Sequence, residues 1–200
     1  MKENTKLRIL ETGAEIIHLR GFNHTGIQEI LDAAKIPKGS FYNYFKSKED
    51  FGLQVIDHFV AYFDLMISGT LANDSLTPLE KIRNILGAFI ELFKSNGYSC
   101  GCPIGNLSQE MGDLNPAFRE KLEKAIDAMA DQYSKLLQEA KLGGEISSDL
   151  DVRETAYFIV SSWHGALVRM KITKDPGPLE NHMRYIFDYV LRPRYPEQER

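Results

Sequence analysis

Two short stretches carry side chains able to do chemistry. One is YSCGCPIGNLSQEM, residues 98–111, where Cys102 directly precedes Pro103. Proline favours the first turn of a helix, so Cys102 is expected at the N-cap, where the helix dipole favours thiolate over thiol. A thiolate there would react with electrophiles or oxidants. Two other readings stand beside this one. Cys102 and Cys100 are also compatible with an unreactive loop. A soft-metal site is the third reading, but Cys-x-Cys supplies two ligands and no nearby His completes a familiar spacing.

The other stretch is IPKGSFYNYFKSKED, residues 36–50. Pro37 is placed to start a mini-helix over 37–43, leaving the N–H groups of Lys38, Gly39 and Ser40 outward for a phosphate. Gly39 allows close backbone approach, Tyr42 and Asn43 offer hydrogen-bonding tips, and Lys48 adds charge at the next helix start. Phe41 and Phe45, four apart, are expected to pin the mini-helix to the core. A tight helical corner with exposed polar residues is the alternative to a binding surface.

The elements that must position these residues read as helices throughout, with a 3.6-residue apolar period and no strand alternation. The first covers 5–20, with Leu7, Leu10, Ala14, Ile17 and Gly21 on one stripe. Thr25 with Gln28 has the form of a capping box for a helix over 27–33. Ser47 with Asp50 opens one over 48–69, whose apolar face holds Phe51, Val55, Phe59, Tyr62 and Met66. TPLE (77–80) caps another to about 95. Further helices are expected over 103–112, 116–141, 151–173 and 178–191, with RPRYPEQER (192–200) a frayed tail. Nine helices result, an all-α chain without repeats. The short pair 27–33 and 37–43, joined by a tight turn, has the helix-turn-helix arrangement, whose second helix enters the major groove.

Composition is consistent with this. At 200 residues and 43% hydrophobic the chain supports a sizeable core, and no apolar run approaches a membrane span. The start, MKENTKLRIL, lacks a signal peptide's apolar stretch, and a cytoplasmic protein with no membrane partner is expected. Residues 1–50 carry eight Lys/Arg and seven Asp/Glu, against sixteen and twenty-one in the remainder, so the acidic excess lies away from the opening stretch. No Ser/His/Asp grouping, phosphate-cradling glycine loop or HExxH pattern points to an enzyme, and no cofactor or metal is expected.

RGFNHTGIQEILDAAKIPKGSFYNYFKSKEDF, residues 20–51, resembles the N-terminal signature of TetR-family transcriptional repressors. The resemblance implies a nine-helix fold with an N-terminal helix-turn-helix domain (1–50) and a C-terminal helical effector and dimerisation domain (51–200). It implies DNA contacts at Thr25, Lys38, Gly39, Ser40, Tyr42, Tyr44 and Lys48. Gly26 stands where Ser or Thr is usual and Asn43 where His is usual, and both belong to the same candidate set. One recognition helix gives little contact, so a homodimer on a palindromic, double-stranded operator is expected. The family dimerises through its last two helices, which here carry Ala156, Ile159, Val160, Trp163 and Leu167, then Met183, Ile186, Phe187 and Val190.

Gly101-Cys102 with Leu107 and Glu110, and HGALVRMKITKDPGPLEN (164–181), is similar to the family's electrophile- and acrylate-responsive branch. That implies Cys102 as sensor, with Lys171 beside it to depress the thiol pKa; Cys100 is a candidate resolving thiol. Trp163 completes the effector set. The expected function is a repressor released from its operator by a small-molecule, electrophile or oxidant signal. A helical interaction adaptor without DNA binding is the alternative.

Overall fold

The computed structural model describes residues 2–192, and every regular element among them is helical. Eight α-helices follow in order: α1 (Lys2–Arg20), α2 (Ile27–Ala33), α3 (Lys48–Leu71), α4 (Pro78–Ser95), α5 (Pro103–Met111), α6 (Pro116–Leu142), α7 (Val152–Thr173) and α8 (Gly177–Tyr185). A 3₁₀ helix, Lys38–Asn43, lies between α2 and α3, and α8 continues as a π-helical turn, Ile186–Val190. The all-α, nine-helix expectation holds among the described residues. The tail RPRYPEQER lies outside them beyond Arg192.

Local chemistry sets the helix starts. Thr77 Oγ1 accepts the Glu80 N–H at 3.3 Å while the Glu80 carboxylate accepts the Thr77 N–H at 2.8 Å, the expected box ahead of Pro78. Ser47 Oγ accepts the Asp50 N–H at 3.0 Å, but the Asp50 carboxylate accepts from Lys46 N–H, one residue earlier than a box requires. The cap expected at Thr25 is corrected. Gly26 is the N-cap of α2, and Thr25, only 1% exposed, donates its hydroxyl to the Gly21 carbonyl at 2.7 Å. A buried hydroxyl must find a partner, and the carbonyl four residues back supplies it.

The chain forms two compact units, 1–66 with 102–125 and 67–101 with 126–200. The division expected at residue 50 is one of role, and the first unit takes residues from both sides of it. In that unit α1 buries Ile9, Ala14 and Ile17, whereas Leu7 is 49% exposed. The buried stripe is therefore rotated from the expected one, toward Phe51 and Ile30, which crowd Gly13. On α3, Phe51, Val55 and Phe59 are buried as expected, but Tyr62 is exposed. Phe22 packs on Phe118 of α6, ring centroids 4.9 Å apart, against the bare Cα of Gly52.

In the second unit, Ala156, Ile159, Val160, Trp163 and Leu167 of α7, with Ile186, point inward. They form this unit's own core, whereas Met183, Phe187 and Val190 of the same set are half-buried. The side chains left outward on these helices are Phe158, Val168, Ile172, Tyr185 and Tyr189. The Trp163 ring meets buried His182 edge-on at 5.2 Å, and Ser162 Oγ lies 3.0 Å from His182 Nε2. Burial pushes the His182 imidazole below its ordinary range.

Gly52 is the tightest point of the first unit. A Cβ there would stand 2.4 Å from Phe22 Cε2 and 2.5 Å from Phe118 Cζ, both ring atoms of buried side chains. Gly52→Ala is expected to destabilise by about 1–3 kcal/mol, read as a lower urea midpoint at unchanged slope.

Candidate nucleic-acid interface and cysteine site

The 3₁₀ helix is too short to stand alone, so its placement comes from below. Phe41 and Phe45 are 0% and 1% exposed and meet Phe51 of α3 at ring distances of 5.6 and 4.9 Å. With those rings pinned inward, Lys38, Gly39, Tyr42 and Asn43 lie on the exposed side, Tyr42 at 67%. Ser40 and Tyr44 are half-buried. Pro37 is the N-cap rather than the first helical residue, and its carbonyl accepts the Ser40 N–H at 3.0 Å. Of the three N–H groups expected to await a phosphate, that of Ser40 is thus engaged internally.

Thr25 and Gly26 mark the start of α2, Gly26 exposed and Thr25 buried. Lys48 extends from the start of α3 over the Phe22 ring, 4.6 Å from its centroid, with Nζ 3.5 Å from the Asn23 carbonyl. Burial pushes its ammonium down and the Glu110 carboxylate pulls it back up. Exposed amide, hydroxyl and ammonium groups beside a close-approach glycine suit phosphate positioning and base-edge contact.

Cys102 is the N-cap of α5, as expected, ahead of Pro103. The chemistry differs from expectation. Although the residue is partly exposed, burial of its sulfur pushes the thiol up, outweighing the opposite pull of the Gly105 and Ile104 N–H groups. Desolvation penalises the thiolate more than the helix start rewards it. The preceding loop is strained: Tyr98 and Cys100, neither of them glycine, have φ of 54° and 67°, beside Gly97 at 60° and Gly101 at 75°. Non-glycine residues in this region cost of order 1–2 kcal/mol each.

Lys171 sits in the last turn of α7 and is half-buried, in the second unit with Cys100 and Trp163, whereas Cys102 belongs to the first. Lys174, in the left-handed conformation that ends α7, donates to Ser99 Oγ at 3.0 Å, so it is a lysine of this segment that reaches the cysteine loop. Among the described residues no group of three or more His, Cys, Asp or Glu side chains is arranged to hold a metal ion.

The residue that sequence reasoning left without a role is Glu110. Its Oε2 accepts the Phe22 N–H at 2.8 Å and its Oε1 the Asn23 N–H at 2.7 Å. The available signal was a lone carboxylate at the end of a helix otherwise apolar or neutral.

A raised thiol has a kinetic signature. In a Cys100→Ser protein, N-ethylmaleimide is expected to alkylate Cys102 more slowly at pH 7 than it does free cysteine. The rate should keep rising about tenfold per pH unit beyond the range where an ordinary thiol, near pKa 8.5, has levelled off. Mass-spectrometric rates across pH 6–10 check this.

Residues 9–55 match the family described as bacterial regulatory proteins, tetR family, and residues 78–186 match the tetracyclin repressor-like C-terminal domain. The chain is 35% identical over 183 residues to the HTH-type transcriptional repressor DhaR of Mycobacterium sp. (strain GP1), covering 92% of this chain and 90% of that protein. A solved regulatory protein TetR from Rhodobacter sphaeroides superposes with TM-score 0.86 at 34% identity, over 92% of this chain and 97% of that one. The reduced form of Escherichia coli NemR superposes with TM-score 0.80 at 28% identity, over 96% and 100%. No helix of the described residues is long and apolar enough to cross a membrane. The chain belongs to the TetR family of helix-turn-helix transcriptional regulators, DNA-binding proteins rather than enzymes.

Proposed function

We propose that this regulator is a homodimeric repressor that holds a palindromic operator through the 3₁₀ helix and Lys48, and lets go when Cys102 is modified. The observation that carries the DNA contact is the pinned 3₁₀ helix, with Phe41 and Phe45 locked inward and Lys38, Gly39, Tyr42 and Asn43 outward. Thr25, with its hydroxyl turned to Gly21, acts by setting the turn, while Gly26, Ser40 and Tyr44 contribute backbone or partial side-chain contacts. Similarity to a repressor, DhaR, supports repression as the direction of control.

Two features support a thiol signal. The cysteine loop is strained, so modification has stored backbone energy to release. A similar protein, NemR, is described in a reduced form, which supports a redox-linked signal here. With an electrophilic alkene, the Cys102 thiol loses its proton to water, the thiolate sulfur bonds the electrophilic carbon as the C=C π bond opens, and the adjacent carbon takes a proton from water. The bulkier, fixed side chain then displaces the start of α5. A raised thiol makes this a response to strong or sustained electrophile rather than a hair trigger.

The dimer is supported by the outward side chains of α7 and α8. Phe158 (53% exposed), Ile172 (74%) and Tyr185 (53%) are large apolar groups on the last two helices, where a soluble monomer seldom concentrates them. An open cavity of about 690 Å³ lies between α7 and α8, lined by Phe158, Ser162, Arg169, Asn181, His182 and Tyr185, able to receive side chains of a second copy.

Three measurements follow. Wild type is expected to sediment as a dimer at micromolar concentration and Phe158→Asp as a monomer; a wild-type monomer contradicts the reading. Tyr42→Ala with Lys48→Ala should abolish sequence-selective duplex capture with the fold intact, and Lys48→Ala alone should reduce the salt slope of binding by about one per protomer. Cys102→Ser should stay on its duplex in N-ethylmaleimide that strips the wild type, and undiminished release from that variant removes the switch.

A further inference from the structure

We infer that Glu110 is a positioning residue: it latches the turn between α1 and α2 to α5, so that the DNA-reading helix pair keeps its working position only while α5 stays in place. The inference deepens the proposed function, since it names how a change at Cys102 reaches the DNA-reading helix pair.

The geometry is local and lies within the first unit. Residues 21–26 connect α1 to the helix pair, and 21–23 are the first half of that connection. Glu110 occupies both of their forward N–H groups, Phe22 at 2.8 Å and Asn23 at 2.7 Å, one on each carboxylate oxygen. Bonds from backbone amides to a charged acceptor are among the stronger kinds. Gly21 makes room for it: φ is +87°, and a Cβ there would stand 2.9 Å from Glu110 Oε2. Asn23 Nδ2 adds a 3.3 Å contact to Met111 Sδ, on the next residue of α5.

What the turn controls is the DNA face itself. The Gly21 carbonyl accepts the Thr25 hydroxyl at 2.7 Å, which fixes the entry to α2. The Asn23 carbonyl faces Lys48 Nζ at 3.5 Å, and the Phe22 ring lies under the same ammonium. Holding 21–23 therefore places both the start of α2 and a phosphate-contacting lysine. The other end of α5 is Cys102, its N-cap, eight residues away and roughly 12 Å along the axis at about 1.5 Å per residue. A helix of that length moves as one piece, so displacing its N-terminus tilts Glu110 off two amides that share one acceptor. Glu110→Gln is nearly isosteric, but its NH₂ would face one of those two donors, so one bond is lost and the other kept.

The test uses duplexes that the wild-type protein enriches from a random-sequence pool, with a random duplex as the nonspecific probe. Glu110→Gln is expected to bind the enriched duplex at least tenfold more weakly and the random duplex within twofold of wild type. The Phe22 and Asn23 amide protons should shift upfield. Gly21→Ala attacks the same latch from the other side and should give the same selective loss, with no further loss in the double variant. It decides the matter alone should Glu110→Gln not fold. Equal loss on both duplexes marks a plain folding role and overturns the inference, as does enriched-duplex binding within twofold of wild type. A wild-type protein that enriches no duplex defeats the regulator reading itself, before any variant is made, and the inference with it.

Discussion

Three phenylalanine rings, Phe41, Phe45 and Phe51, decide whether this protein has a DNA-facing surface. A six-residue 3₁₀ helix has too few hydrogen bonds to persist by itself, and the nucleation cost of so short a helix is not recovered locally. Burying Phe41, with Phe45 just beyond the helix, against the first turn of α3 supplies the missing stability. It also fixes rotation: with Phe41 and Phe45 inward, Tyr42 and Asn43 lie on the exposed side. The buried aromatic face and the exposed polar face are thus opposite sides of one short element, and neither side can be repacked without turning the other.

Around that cluster the first unit is tied by polar contacts at its edges. Glu110 holds the turn at 21–23, Asn115, just ahead of α6, donates to Glu49 of α3, and Lys121 pairs with Asp57. The exposed pairs among these contribute little to stability, since water screens them. Glu110 differs because its partners are backbone amides, which have no rotamer freedom to spend.

Cys102 illustrates two effects in competition. The N-cap position stabilises a thiolate through nearby N–H groups, while packing removes the water that stabilises it more. Burial wins, and the thiol is raised. The same loop carries backbone strain. Tyr98 and Cys100 are held in left-handed backbone conformations that side chains other than glycine's rarely adopt.

The amino-acid sequence by itself determined the helix order, most helix starts, the inward place of Phe41 and Phe45 and the polar identity of the face opposite them. These follow from proline positions, capping residues and local periodicity, which act over a few residues. Helix-to-helix placement was not legible in the same way. Periodicity shows that α7 has an apolar side, but Phe158 and Ile159 are adjacent apolar residues, and only the packed neighbours decide that Ile159 turns in and Phe158 out. The role of Glu110 and the raised Cys102 thiol depend on partners 87 or 88 residues away and on how much water the fold excludes. Such quantities are set by the three-dimensional shell around a side chain, and tertiary structure alone decided them.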